Sequence, residues 1–68
     1  MDEYTIYDYV TAETLSVDDC IVYDGDYIEL TSVYDDGDRV SVVGYSHVSG
    51  DTVDYPLDPY QEVGLWTV

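Results

Sequence analysis

The chain has 68 residues, 46% of them hydrophobic, and carries sixteen acidic side chains against a single basic one, Arg39, for a net charge of −15. That length holds one domain, residues 1–68, near the smallest size at which a lone apolar core sustains a fold, and the abundance of Val, Ile, Thr and Tyr excludes a disordered acidic tail. With no cationic patch to meet phosphate, direct binding of nucleic acid or of an anionic membrane is excluded as well, which leaves cations and basic protein surfaces as natural partners.

Tyr4 to Val10 reads as a strand, rich in β-formers and free of Gly and Pro. Thr11 to Leu15 suits one short helical turn. Cys20 to Tyr23 is a short apolar strand, and Asp24-Gly25 directly after it is a strong hairpin signal. Tyr27 to Tyr34 is the return strand, with Ile28 and Leu30 on one face and Glu29 and Thr31 on the other. Asp35-Asp36-Gly37-Asp38 makes a second, acidic turn. Arg39 to Tyr45 follows as a strand in which Gly44 suggests a bulge or sharp bend. Ser49-Gly50-Asp51 turns the chain into Thr52 to Leu57, where Pro56 predicts an edge strand or a strand end. Asp58-Pro59 breaks the chain, and Glu62 to Val68 is the last strand. Short strands joined by Gly- and Asp-containing turns predict an all-β fold, a small barrel or a sandwich, and of the two a five- or six-stranded barrel is the one expected.

The run Leu15-Ser16-Val17-Asp18-Asp19-Cys20-Ile21, then Asp24-Gly25, Tyr27-Ile28-Glu29-Leu30 and Ser49-Gly50-Asp51 resembles the KOW-type, SH3-like first domain of bacterial elongation factor P over roughly residues 15–63. The resemblance implies an SH3-like barrel. It departs where that phrase has glycine and this chain has Asp18. The factor's basic loop, with its modified lysine, corresponds here to Asp35-Asp36-Gly37-Asp38, so no functional residue carries over.

Little in the chain suggests catalysis. His47 is the only histidine, Ser46 and Ser49 are merely its neighbours, and a chain this short has little room for a substrate pocket; no enzyme activity and no cofactor are expected. Asp24 with Asp26, and Asp35, Asp36 and Asp38, are hard oxygen ligands, yet neither group has EF-hand spacing, and Asp and Gly serve turns directly. No metal site is expected. Cys20, the one cysteine, forms no intrachain disulfide and reads as a small buried residue. Arg39 is expected to pair with Asp36, Asp38 or an acid across the sheet, and Trp66 to lie in the core or plug a barrel end. Residues 1–10 have neither the positive charge nor the apolar run of a signal peptide, so the expected compartment is cytoplasmic.

The acidity itself is the main functional signal. Outward carboxylates on one strand repeat every ~6.6–6.8 Å, and rows of them can imitate the phosphates of a duplex, which carries one charge per ~1.7 Å of axis. In size and charge the chain resembles small acidic viral proteins that mimic DNA. The expected function is a non-enzymatic binding protein, a phage or mobile-element inhibitor that fills a basic, nucleic-acid-binding site on a host protein. The residues expected to meet the partner are Asp24, Asp26, Asp35, Asp36 and Asp38, with Tyr27 and Tyr34 as aromatic anchors. The alternative is adaptation to a salty cytoplasm: many Asp, no Lys and abundant Val fit it equally, and the charge then names no partner.

Overall fold

The computed structural model describes residues 3–68. Six antiparallel strands, β1 (Thr5–Thr11), β2 (Cys20–Tyr23), β3 (Asp26–Asp35), β4 (Val40–Ser46), β5 (Thr52–Leu57) and β6 (Glu62–Thr67), form one sheet in the order β1-β6-β2-β3-β4-β5. A single 3₁₀ turn, Ala12–Thr14, follows β1 where the sequence places a helical turn. The fold is all-β, as expected. The run from β6 through β5 is compatible with an SH3-like barrel, but β1 and β5 are free edges, and no strand pairing among the described residues closes the sheet.

Local chemistry explains each corner. Asp24 and Gly25 both have positive φ, +51° and +78°, and Tyr23 faces Asp26 directly. That is the two-residue turn whose twist matches the strands it joins. Asp18, standing where the resembled phrase has glycine, has φ +78°; Asp is one of the few L-residues that visit this region. Its N–H donates to Leu30 O, and Leu30 N–H donates to Asp19 O, so the chain joins β3 before β2 formally begins. The bulge expected at Gly44 lies instead on the facing strand. Leu30 pairs with Gly44 and Ser32 with Val43, leaving Thr31 as the extra residue. Gly44 serves close approach: a Cβ there would lie 2.5 Å from Glu29 O and 2.6 Å from Ile28 Cγ2.

Both edges are blunted against pairing with other chains. On β5, Pro56 takes its predicted edge position opposite Ser41. On β1, the register shifts between Ile6 and Asp8, so that Tyr7 interrupts the pairing with β6.

Strand alternation gives the sheet two unlike faces. The inner face is aliphatic: Ile21, Ile28, Leu30, Val40, Val42, Leu57 and Val63 are buried together with Ala12 and Leu15. On the outer face lie Tyr27, Tyr45 and Trp66, joined by Tyr4 and His47. Trp66 is 5% exposed, yet it packs against these rings and not among the aliphatic residues. Trp66 is thus buried, as expected of a core residue, but on the aromatic side of the sheet.

Candidate functional site

The seven residues expected to meet a partner do not form one patch. Tyr34, Asp35, Asp36 and Asp38 cluster at the β3–β4 turn, all exposed, with Tyr34 at 66%. Asp24, Asp26 and Tyr27 sit at the other end of β3, on the order of 30 Å away along the strand.

The β3–β4 turn is held by its own acids. Asp35 Oδ1 accepts from Gly37 N–H at 2.8 Å, and Asp36 Oδ1 accepts from Asp38 N–H at 2.9 Å and Arg39 N–H at 2.8 Å. Those backbone bonds, helped by the nearby Arg39 charge, hold the Asp36 carboxyl below the usual carboxylate range. Among the described residues the ion pair expected of Arg39 is not made. Among them the one basic side chain within ion-pair distance of a carboxylate is His47, its Nε2 3.3 Å from Glu29 Oε1, a hydrogen bond that becomes an ion pair only when the imidazole is protonated.

Asp26 is half-buried and fastens the opposite end of the sheet. Its Oδ1 accepts from the fully buried Ser46 Oγ at 2.6 Å, and its Oδ2 accepts from Tyr55 Oη at 3.1 Å. Ser46 Oγ in turn accepts from the N–H groups of Val48 and Ser49, shaping the β4–β5 turn. The bond to Asp26 is the main reason the Tyr55 phenol is pushed above its ordinary value, with partial burial adding to it. Of the expected acids, Asp26 is thus the one with both oxygens already engaged. Tyr27 is half-buried and stacks on Tyr4, ring centres 4.4 Å apart.

Two adjoining concavities lie elsewhere, on the outer face. Tyr4, Cys20, Glu29, His47, Trp66, Thr67 and Val68 line a notch of about 260 Å³. A neighbouring hollow of about 490 Å³ shares Cys20, Trp66 and Thr67 and adds Tyr7, Asp18 and Asp19. Sharing these three residues, the two adjoin as a groove lined by aromatic rings and by the carboxylates of Glu29, Asp18 and Asp19.

Its frame is well fixed. Trp66 Nε1–H donates to Ile21 O at 2.8 Å, and its ring meets those of Tyr4 and His47 edge-on, each at 5.0 Å. Tyr4 Oη lies 3.3 Å from His47 Nδ1, and His47 Nε2 lies 3.3 Å from Glu29 Oε1. With its proton on Nε2, the imidazole accepts from Tyr4 and donates to Glu29, satisfying both contacts. Cys20, expected to be buried, is only half-buried at the base of the groove. Burial, then the charges of Glu29, Asp19 and Asp18, push its thiol above the ordinary value. The thiol is therefore a poor nucleophile at neutral pH.

Tyr4, Cys20, Glu29, His47 and Trp66 were absent from the partner-binding set read from the sequence. The alternation of β3 does put Tyr27 and Glu29 on one face, and Glu29 pairs with Tyr45 across the sheet. The placement of Trp66 beside them depends on β6 crossing to pair with β2, which no local pattern announces.

Among the described residues no helix is long and apolar enough to cross a membrane. No protein-family model, no curated protein and no solved structure matches the chain.

Proposed function

We propose that this protein acts by binding, using its acidic surface to occupy a basic site on another protein that otherwise holds nucleic acid. One observation carries the reading: every described acidic residue is exposed except Asp19 and Asp26, which are half-buried. The net charge of −15 is spread over a long axis of 39 Å, roughly one charge per 2.6 Å, against ~1.7 Å for a duplex. The carboxylates sit on a hydrogen-bonded sheet and on turns fixed by backbone bonds, so they are displayed at set spacings, which lowers the ordering cost of binding. The raised thiol of Cys20 favours binding over nucleophilic chemistry. A phage or mobile-element inhibitor of a host protein is the biological role this chemistry fits.

The test is capture from a bacterial lysate on immobilised protein, with and without added duplex DNA. The expected result is recovery of nucleic-acid-binding proteins that excess duplex displaces and rising salt releases. Recovery unaffected by duplex, or no recovery at low salt, overturns the proposal.

A further inference from the structure

We infer that the outer-face groove is the specific anchor point of this surface and receives an arginine side chain of the basic partner. The inference rests on the proposed binding to a basic protein and says where on the molecule the decisive contact is made. Three features of the groove converge on this occupant. Its floor is aromatic: Tyr4, His47 and Trp66 line the notch, and Tyr7 lines the adjoining hollow. Aromatic faces attract cations and stack on planar guanidinium groups. Its lining is also anionic: Glu29 lines the notch, and Asp18 and Asp19 line the hollow, Asp19 Oδ2 accepting from Ser16 N–H.

Glu29 is 55% exposed, and only its Oε1 has a hydrogen-bond partner among the described residues. Its Oε2 remains to accept an N–H of a guanidinium, and Arg presents several such donors in a rigid fork. Complementary charge decides the occupant: an apolar or anionic group would enter a field set by three carboxylates on a chain of net charge −15. Lysine would meet the same charge but lacks the planar face that stacks on a ring. Unlike the acidic turns, this groove combines charge with shape, which is what separates one basic partner from another.

The protein carries two built-in reporters here, its only tryptophan and its only cysteine. The experiment titrates the full chain with a blocked Gly-Arg-Gly-Arg-Gly peptide, and with the same peptide carrying lysine or citrulline in place of arginine. Trp66 fluorescence and the rate of Cys20 alkylation by iodoacetamide are followed. The arginine peptide is expected to shift the fluorescence saturably and to change the alkylation rate over the same concentration range, the lysine peptide to bind about three- to ten-fold more weakly, and citrulline to have no effect. Glu29→Gln and Tyr4→Leu, the second keeping Trp66 covered, should each weaken arginine binding about five-fold. The triple variant Asp35→Asn, Asp36→Asn, Asp38→Asn should leave it within two-fold, with circular dichroism confirming that each variant is folded.

Equal response to arginine and lysine, or equal loss in Glu29→Gln and in the turn variant, means diffuse attraction and overturns the inference. If Glu29→Gln still captures duplex-displaceable proteins as well as the parent does, the anchor is wrong while the proposed function stands. Loss of both peptide binding and capture in the parent protein removes both.

Discussion

On the inner face of the sheet Ile21, Ile28, Leu30, Val40, Val42, Leu57 and Val63 form an aliphatic core against whose margin only Tyr23 and Tyr55 bring aromatic rings, while on the outer face Tyr4, Tyr27, Tyr45, His47 and Trp66 pack ring against ring. The first set is non-directional and holds the fold through removal of apolar area from water. The second is joined by ring geometry and hydrogen bonds, and carries its polar atoms at the water boundary. A chain with so few residues cannot enclose nine tyrosines, and this one sets Tyr4, Tyr27 and Tyr45 in a second, partly wetted layer with Trp66 and His47. The lesson is a division of labour: the neutral interior stabilises, and the polar aromatic exterior is left to recognise.

Substitutions at matched depth break that comparison. Ile28→Ala empties the centre of the inner face, where Ile28 is fully buried, and should cost about 2–5 kcal/mol. For a domain of this size each kcal/mol lowers Tm by about 4–8 °C, so urea and thermal unfolding both read it; a loss below about 1 kcal/mol would mean the inner face is not the stabilising one. Asp26→Ala strips an acceptor from buried Ser46 and from Tyr55. It should cost about 1–3 kcal/mol, although it removes one negative charge from an overcharged chain. A gain in stability would show that repulsion outweighs the network. Combined with Ser46→Ala, its cost should fall short of the sum, since the two share a bond.

On the outer face, Trp66→Phe keeps a ring but leaves Ile21 O without its donor, for an expected loss of about 0.5–1.5 kcal/mol. A loss as large as that of Ile28→Ala would erase the distinction between the faces.

The smallest effect concerns Asp36. Its carboxyl is held low, so its contribution is present above the ordinary carboxylate value and is lost as pH falls through the lowered one. Asp36→Asn should therefore be slightly less stable than the parent near neutrality, with the gap closing under strongly acidic conditions. A gap that widens on acidification contradicts the assignment; NMR titration of the Asp36 carboxyl checks it directly.

Much of the fold was legible because its signals are local. Asp24-Gly25 announces a two-residue hairpin, Pro56 an edge, and the alternation around Ile28 and Leu30 an inner face, and each is found in place. Gly44 was harder. The same residue serves a bulge on its own strand or close approach by another, and only the facing strand, with its extra Thr31, decides between them. Barrel closure was not legible either, since it depends on strand ends meeting and not on any strand's own pattern.

Of the candidate site, the exposed acids of the β3–β4 turn could be read directly. The inward role of Asp26 could not, because an acid after a tight turn looks the same in sequence whether it faces water or a buried serine. The groove escaped detection because its parts come from β2, β3, β6 and the segments beside β1 and β4, brought together by the β6–β2 pairing.

On this reading the interior alone is enough to fold the chain, leaving the surface charge available for a partner. A circular-dichroism melt at low salt and again in molar KCl tests this most directly. The account predicts a folded, cooperatively melting domain at low salt whose Tm rises only modestly when the repulsion is screened. A chain that is unfolded at low salt and folds only in molar KCl would contradict it, and would make the acidity an adaptation to a salty cytoplasm.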